Sequence, residues 1–424
     1  MSGVELLPLG EVLKPTRPRV KPSDYPDLPF IGMEHVEAHS MKLLGTVPAA
    51  TMKSSAVHFK PGDVLYGRLR PYLNKVYRPT FEGLCSAEFI VLPENERVDG
   101  GYLQYFLNSS AFVRYASHLN TGDRPRVDFD QLAPYEVPLP DVDEQRRIVA
   151  EIEKQFSRLD EAVANLKRVQ GNLARFTKAI LSAAAAGRLV KTESAISEAS
   201  GAAFESGAEL VKRVLVARKQ LWSGRGQYIE PSPPATRGLA ALPNGWTWAS
   251  ADQLSDFITK GTTPAATKLS EGAGDVQFLK VYNLTFDGVL NHTYKPAFVS
   301  RDTHEGDLAR SRVRPGDVLI NIVGPPLGQV SLVPAELPEA NINQAIARIR
   351  PVAPLSPRYV ALALMATEVM DWAVRRAKTT AGQSNLTLEL CRAIPIPLPP
   401  LAEQDRIVAE VDRRLSIVRE VEAE

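Results

Sequence analysis

Apolar residues recur in alternating steps of four and three along the stretch that follows Pro140. The seam consists of Ile152, Phe156, Leu159, Val163, Leu166, Val169, Leu173, Phe176 and Ile180. This spacing is typical of a coiled-coil helix, and the extra step of three after Leu166 overwinds such a helix without ending it. The pattern predicts one helix of about 42 residues, roughly 63 Å long at 1.5 Å per residue, that ends near Gly187.

The start of this helix occurs twice in the chain. Residues 137–156 and 396–415 are identical at ten of twenty positions, and both copies begin with a Pro-Leu-Pro run. Proline lacks a backbone N–H and restricts the residue before it, so each run should be extended up to the helix. In the second copy Val411, Leu415 and Val418 repeat the seam. A helix this long needs a long partner, and the repeat supplies one.

The repetition extends upstream of the helices. Four blocks of the first copy align with blocks of the second. They are "PTRP" with "GTTP", "LPFIGMEHVE" with "VQFLKVYNLT", "PGDVLYGRLRPYLNKV" with "PGDVLINIVGPPLGQV", and "GYLQYFL" with "RYVALAL". The offset between the copies drifts from 246 to 259, as expected when surface loops vary around a shared scaffold. The alternation after "GDVL" predicts a strand, and "YLQYFLNSSAFVRYA" predicts one amphipathic helix. Each copy is therefore a unit of mixed α and β structure followed by a long helix.

These boundaries divide the chain into five segments. Residues 1–143 form a first domain, 144–187 a long helix, 188–243 a connector, 244–402 a second domain and 403–424 a distal helix that is either short or truncated. The connector holds a basic helix over residues 209–222, with Lys212, Arg213, Arg218 and Lys219 predicted to lie outside, and a linker rich in Pro and Gly over residues 223–245.

Composition narrows the class of protein. The chain has 424 residues, 44% of them hydrophobic and 23% charged, which is ordinary for a globular protein of two or three domains. No apolar run approaches the roughly 20 residues that span a bilayer, and no signal peptide is evident. Cys85 and Cys391 are too few for a disulfide framework, so we expect two buried thiols in a cytoplasmic protein. The net charge of only +1 gives no argument for nonspecific binding of nucleic acid.

Motifs that carry chemistry are missing. The sequence has no G-x-x-x-x-G-K-[ST] phosphate loop, no G-x-G-x-x-G after a strand and no G-x-S-x-G elbow. Three Pro-Pro pairs lack the aromatic residue that an amino-methyltransferase uses to stack a base. His35 and His39 flank Glu37, but their segment aligns with a strand-like stretch and has no third ligand. We therefore expect no catalytic site and no metal site.

The repeated blocks resemble the DNA-specificity (S) subunit of type I restriction–modification systems. The resemblance rests on "PLPDVDEQRRIVAEIEKQF", "PLPPLAEQDRIVAEV", the two "PGDVL" blocks and the central segment from "TKAILSAAAAGRLV" to "LPNGWTW". It implies an α+β fold with an internal pseudo-two-fold repeat, in which two target-recognition domains each bind half of a split DNA site. Two long helices would pack as an antiparallel coiled coil between them.

The resemblance also implies that the chain is not an enzyme. Two modification subunits would bring S-adenosylmethionine and methylate adenine, and restriction subunits that translocate DNA would use ATP and Mg²⁺. The distal copy departs from the family pattern, because it ends after about 22 helical residues. Docking of a modification subunit on that side is therefore in doubt.

Candidate DNA-binding residues come from loops rich in basic, amide and hydroxyl side chains, which suit phosphates and base edges. They are Lys14, Arg17, Arg19, Arg68, Arg70, Tyr72, Lys75, Arg78, Asn120, Arg124 and Arg126 in the first domain, and Lys260, Thr262, Thr263, Lys268, Lys378, Gln383, Ser384 and Asn385 in the second. For "YGRLRPYLNKVYRP" an alternative stands beside DNA binding: the tyrosines form the core face of a strand and the arginines are solvated.

Candidate partner-binding residues recur at the same positions of the two helix starts. They are Glu144, Gln145, Arg147, Ile148, Glu403, Gln404, Arg406 and Ile407. The alternative is that these residues merely cap and start the helix. Two other functions also remain open for the whole chain: a structural coiled-coil adaptor that joins two protein-binding domains without touching DNA, and an enzyme with a disguised site.

Overall fold

The structure is a computed structural model of the chain, and it describes residues 4–15, 18–120, 122–224, 226–380 and 382–423. The chain divides into two compact units, Met1–Leu166 and Lys167–Glu424. The dividing point lies inside one long helix, so each unit contains part of it. The boundaries of the five predicted segments stay predictions.

The first unit is built mainly from short strands and four short helices. Its strands are β1 Glu5–Pro8, β2 Arg19–Val20, β3 Pro29–Ile31, β4 Val47–Pro48, β5 Ala56–Phe59, β6 Val64–Gly67, β7 Val76–Tyr77, β8 Gly83–Ser86, β9 Phe89–Leu92 and β10 Glu136–Leu139. Its helices are α1 Leu9–Val12, α2 Gly100–Leu107, α3 Ser110–His118 and α4 Phe129–Leu132, followed by α5 Val142–Ala185.

The second unit contains the rest of the chain. Its strands are β11 Thr247–Ser250, β12 Thr259–Lys260, β13 Ser270–Glu271, β14 Val276–Leu279, β15 Ala297–Val299, β16 Arg312–Val313, β17 Val318–Asn321, β18 Val323–Gly324, β19 Val330–Leu332, β20 Ala340–Ile342, β21 Ile346–Ile349, β22 Lys378–Thr380, β23 Gln383–Asn385 and β24 Pro395–Leu398. Its helices are α6 Glu193–Ser200, α7 Gly207–Gln220, α8 Arg301–Glu305, α9 Pro357–Met365, α10 Thr367–Val374, α11 Leu388–Ala393 and α12 Leu401–Ala423.

Both units share their central strand pairings, which confirms the predicted repeat of mixed α and β structure. In the first unit β3 lies parallel to β8 with Phe30 opposite Leu84, and in the second β14 lies parallel to β20 with Phe278 opposite Asn341. The Pro-Leu-Pro runs are the edge strands β10 and β24, which pair antiparallel with β1 and β11. The "GDVL" strands are β6 and β17, and all of their residues are buried.

One predicted element is wrong. The stretch "YLQYFLNSSAFVRYA" is two helices and not one, because α2 ends before Asn108 and α3 begins after Ser109. The Ser109 hydroxyl accepts a hydrogen bond from the backbone N–H of Phe112, which caps the new helix. Serine and asparagine compete with the helical backbone for such bonds, and this favours a break. The second unit has the same break, at Ala366 between α9 and α10.

The long helix is confirmed as one continuous element of 44 residues, about 66 Å at 1.5 Å per residue. The Asp141 carboxylate accepts from the backbone N–H of Glu144 at 2.8 Å and caps its first turn. Near its end Ile180 and Leu181 are buried in one core with Val411 and other apolar residues of α12. The middle of the seam is open to solvent, with exposed fractions of 40–64% at Phe156, Leu159, Val163, Leu166, Val169 and Phe176.

The connector contributes two helices to the second unit. Ser206 and Glu209 cap α7 reciprocally, and Leu210 and Val214 bury its apolar side. The prediction that Arg218 lies outside is wrong. Its guanidinium is 9% exposed, donates to the Ser255 carbonyl at 2.7 Å and pairs with Asp252. The long aliphatic stem of arginine allows it to cross an apolar surface to these partners.

Within the described residues, no helix is both long and apolar enough to span a membrane. Cys85 and Cys391 are buried free thiols. No group of three or more His, Cys, Asp or Glu side chains in the described part of the chain is placed to hold a metal ion.

Candidate nucleic-acid interface

Two of the predicted DNA-binding segments in the first unit meet at one junction of backbone hydrogen bonds. The N–H of Arg68 donates to the Glu88 carbonyl at 2.9 Å, and the Arg68 carbonyl accepts from Val127 at 3.0 Å. The N–H of Arg70 donates to the Pro125 carbonyl at 2.8 Å. The loop after β6 and the loop after α3 therefore form one surface, although the bonded residues Arg70 and Pro125 are 55 positions apart in sequence.

The second unit contains the same junction at equivalent positions. The N–H of Ile322 donates to the Ala345 carbonyl, and the Ile322 carbonyl accepts from Leu386, both at 2.9 Å. Here the loop is longer and forms the exposed hairpin β22–β23, which β18 joins as a third strand. The N–H of Thr262 donates to the Ile342 carbonyl at 3.2 Å, so the predicted Gly/Thr loop reaches the same junction.

In the first unit, acids or carbonyls already hold several of the predicted side chains. Arg68 pairs with Asp128, Arg126 with Glu88, and Arg78 with Glu94 at 3.8 Å. The Lys75 ammonium donates to the Met33 carbonyl at 2.6 Å, and the Asn120 amide donates to the Arg126 carbonyl. These contacts fix the loops, and each of the three ion pairs would have to open before phosphate could take the place of its carboxylate.

Other predicted side chains of the first unit are available for a ligand. Tyr72 is 44% exposed, and Lys14, Arg19 and Arg124 are exposed. Arg70 has a backbone φ of +53°, a left-handed conformation that non-glycine residues seldom adopt. Its Nε is buried, and it has no hydrogen-bond partner among the described residues. Arg17 lies outside the described residues.

The tyrosines of the "YGRLRPYLNKVYRP" segment divide between the two interpretations. Tyr66 is 1% exposed and stacks edge-on against Phe112 at 5.8 Å between ring centroids, and Tyr77 packs against the core below the sheet. The core interpretation holds for these two, while Tyr72 points to solvent beside Arg70. Arg19, Arg68 and Asp128 line a cleft of about 120 Å³ next to this loop.

In the second unit the predicted residues lie on the hairpin and the adjacent loops. Lys260, Thr262, Lys378 and Gln383 are exposed, and Ser384 and Asn385 are half-buried. Lys268 pairs with Asp307, and the Thr263 hydroxyl donates to the side chain of Gln344. Gln344 was missed by sequence reasoning, because no local motif connects it to a threonine 81 residues away. The signal was the repeat, since residues 342–346 align with residues 85–89, which include the Glu88 that Arg68 bonds in the first unit.

The predicted partner-binding residues fall into a buried and an exposed group. Gln145, Glu403, Gln404 and Ile407 are 0% exposed and face the chain's own interior. The exposed or half-exposed group is Glu144, Arg147, Ile148 and Arg406, of which Glu144 and Arg147 pair with each other at 2.8 Å.

The buried glutamines tie each helix start to its own domain. The Gln145 carbonyl oxygen accepts from the N–H of Asp99 at 2.9 Å, and its amide donates to the carbonyls of Arg97 and Pro140 at 2.8 Å. Gln404 makes equivalent bonds to Ser356 and Pro399 at 3.2 Å. Gln145 and Gln404 therefore fit the alternative interpretation, in which the repeated residues cap and start the helix and do not bind a partner.

Glu403 is held by the connector. Its carboxylate accepts from the N–H of Glu193 at 2.9 Å and from the Trp246 indole at 3.0 Å, while Arg406 pairs with Glu193. Burial raises the pKa of Glu403, and these hydrogen bonds oppose that shift. In the first copy the equivalent Glu144 has no such cover among the described residues, so the two helix starts differ in what they leave exposed.

Curated relatives of the chain are specificity subunits from Escherichia coli. Those of the type I restriction enzymes EcoDI, EcoBI and EcoEI are 29%, 23% and 21% identical over 40%, 68% and 97% of this chain. The chain spans 38%, 52% and 77% of their respective lengths. No family model matches the chain. The resemblance stated from the repeated blocks is confirmed by these relatives.

Solved structures share the fold along the whole chain. A chain from a type I restriction–modification system, solved to describe its assembly and conformational transition, has 22% identity and a TM-score of 0.65, and the match covers 99% of this chain and 92% of that one. The HsdS subunit of Thermoanaerobacter tengcongensis has 21% identity and a TM-score of 0.59, with 100% and 92% covered. The predicted fold class is confirmed.

Proposed function

We propose that this chain is the non-catalytic specificity subunit of a type I restriction–modification system, and that it recognises a bipartite, asymmetric DNA sequence. Each target-recognition domain, residues 1–143 and 244–402, binds one half-site. Double-stranded DNA, two modification subunits and restriction subunits are the partners, and the chain works in the cytoplasm.

The single observation that carries this proposal is the junction that occurs in both units. The backbone bonds through Arg68 and Ile322 are the same, while the side chains around them differ. Two domains that recognise different base sequences need a shared scaffold with different polar side chains. The reason is that each base edge is distinguished by the hydrogen-bond donors and acceptors that contact it. Arg70 and Arg124 suit guanine, and Gln383 and Asn385 suit adenine.

Helix α5 acts as the spacer between the readers, in an antiparallel coiled coil with the distal helix. Its length of about 66 Å is sufficient to separate half-sites by one helical turn of DNA, roughly 34 Å. The exposed Arg147, the half-exposed Glu144 and Ile148, and the open seam offer surfaces to the modification subunits. The partner subunits supply the catalytic activity. The modification subunits bind S-adenosylmethionine, and the restriction subunits use ATP and Mg²⁺.

Fluorescent duplexes of random sequence, titrated with the chain alone and with the chain plus modification subunits, test the proposal. We expect weak binding alone, and strong, salt-dependent, sequence-selective binding with the subunits. Indifference to DNA in both settings would favour the adaptor. Transfer of methyl groups from S-adenosylmethionine by the purified chain alone would favour an enzyme.

A further inference from the structure

We propose that a lysine–tyrosine cluster in the second unit, made of Lys280, Tyr282, Tyr294 and Lys295, binds the phosphate backbone of duplex DNA. The inference rests on the proposed DNA-binding function and adds to it a contact that positions the duplex without reading its bases. None of these residues was a candidate from the sequence.

The four side chains form one contiguous group, in which Lys280 is half-buried and the other three residues are exposed. The ring centroids of Tyr282 and Tyr294 are 5.9 Å apart at an interplanar angle of 87°, and the two residues are 40% and 47% exposed. The Lys280 ammonium lies 5.9 Å from the Tyr282 ring, and the Lys295 ammonium lies 5.3 Å from the Tyr294 ring. Contact with the ring faces restrains both ammonium groups at the surface.

A single buried asparagine organises the two loops that carry the cluster. Asn283 is 2% exposed, its carbonyl oxygen accepts from the N–H of Lys280, and its amide donates to the carbonyls of Asn291 and Tyr294, each at 2.9 Å. The Tyr282 hydroxyl donates to the Lys295 carbonyl at 3.0 Å. The cluster is therefore built before any ligand arrives.

Lys295 has a backbone φ of +45°, which places a non-glycine residue in the left-handed region. Such conformations are costly, and they persist where the surrounding structure holds them; functional sites are one such setting. Here the hydrogen bonds from Asn283 and Tyr282 hold the loop of Lys295 in this conformation.

The cluster carries positive charge that the protein does not neutralise. Among the described residues neither lysine forms an ion pair, whereas nearby Lys268 and Arg301 pair with Asp307 and Glu339. An ammonium is a strongly hydrated point charge that suits phosphate, and tyrosines beside it can pack against sugars or bond phosphate oxygens.

The position of the cluster connects it to the candidate interface. The Leu279 carbonyl, one residue before Lys280, accepts from the N–H of Asn343 at 3.1 Å. Asn343 lies between Ile342, which holds the Thr262 loop, and Gln344, which contacts Thr263. The cluster thus borders the loop already expected to contact DNA.

The first unit lacks this cluster, although the scaffold is the same. At the shared offset of 248, Gly32 replaces Lys280, Glu34 replaces Tyr282 and His35 replaces Asn283. His35 makes the equivalent bond, accepting at Nδ1 from the N–H of Gly32 at 2.9 Å, but the Glu34 side chain is 72% exposed and adds an acid. The phosphate anchor therefore belongs to one half-site only.

The test measures how salt weakens binding of the full chain to a random-sequence duplex of 30 base pairs, by fluorescence anisotropy at 20–150 mM KCl. Each lost phosphate contact lowers the slope of log K against log salt by about 0.9, so Lys280→Ala with Lys295→Ala should lower it by about 1.8. The affinity of this variant relative to wild type should then be lower at 20 mM than at 150 mM by roughly 40-fold. The matched control, Arg237→Ala with Arg310→Ala, removes the same two charges from exposed positions elsewhere in the unit and should keep the wild-type slope.

A second variant separates binding from folding. Lys295→Gly removes the charge but suits the left-handed backbone, so its thermal melting should be at or above that of the wild type while its slope falls by about 0.9. If the double variant keeps the wild-type slope, the anchor is overturned while the proposed DNA recognition stands. The same holds if the double variant loses only its binding to partner subunits. A wild-type chain that binds no duplex at any salt concentration, either alone or with modification subunits, overturns the anchor and the proposed function together.

Discussion

Replacing Gln145 with alanine should destabilise the first unit more than any exposed change on the same helix. The side chain is fully buried and satisfies one backbone N–H and two backbone carbonyls, those of Asp99, Arg97 and Pro140. Alanine leaves all three groups without a partner at the point where α5 joins its domain.

The expected loss follows from these three bonds. A buried hydrogen bond contributes about 1 kcal/mol net, and a backbone group left unsatisfied costs about 1–3 kcal/mol, so the sum is about 3 kcal/mol after water reaches part of the site. For a domain of this size 1 kcal/mol corresponds to roughly 2–4 °C, which predicts a fall in Tm of roughly 6–12 °C. Gln404→Ala should cost less in the second unit, since its two bonds are longer at 3.2 Å.

Differential scanning calorimetry of the full chain measures this, because the two units can melt separately. Gln170→Ala, at an exposed position of α5, is the matched control and should leave both transitions unchanged. A Gln145→Ala protein with unaltered melting that no longer assembles with modification subunits would refute the reasoning. Gln145 would then be a partner contact and not a structural residue.

Three further outcomes are expected. Arg70→Ala should weaken specific binding by about 1–3 kcal/mol and relax base preference in one half-site, whereas Gln383→Ala should relax the other, as competition with mutated duplexes will measure. Burial raises the pKa of Glu403 above its usual value of 4.5, so the folded unit holds this proton more tightly than the unfolded chain and loses stability as the pH rises above that value. Glu403→Gln should remove this loss, which urea unfolding at pH 5 and pH 8 will show; an unchanged pH dependence would contradict it. Seven residues inserted into the exposed middle of α5 add about 10 Å and should lengthen the spacer between half-sites without changing the bases read, and an altered half-site would contradict the spacer role.

The sequence was informative wherever a physical rule acts locally or the repeat could be compared with itself. The helix through Phe156 and Ile180 followed from spacing alone, and a strand in each copy followed from the two "GDVL" blocks. The break at Asn108–Ser109 was missed because the apolar periodicity continues across it. The capping preference of serine was present in the sequence but was outweighed by that periodicity.

The candidate interface was less predictable, because its bonds join distant parts of the chain. The ion pair between Arg68 and Asp128 spans 60 residues, and no local pattern indicates that this arginine is already engaged. The sequence similarity of the two helix starts was evident. That similarity could not show whether Gln145 is buried in its own domain or exposed on a docking surface. The Lys280 cluster was missed for another reason, since its lysines and tyrosines lie in two loops that hydrogen bonds from Asn283 and Tyr282 bring together.

Methylome sequencing of a host with and without this gene tests the central claim most directly. A chain that carries two different readers on one spacer predicts that a single bipartite motif, with methylated adenine and two unlike half-sites, disappears when the gene is deleted. An unchanged set of methylated motifs would contradict the claim, and so would loss of one continuous, undivided motif.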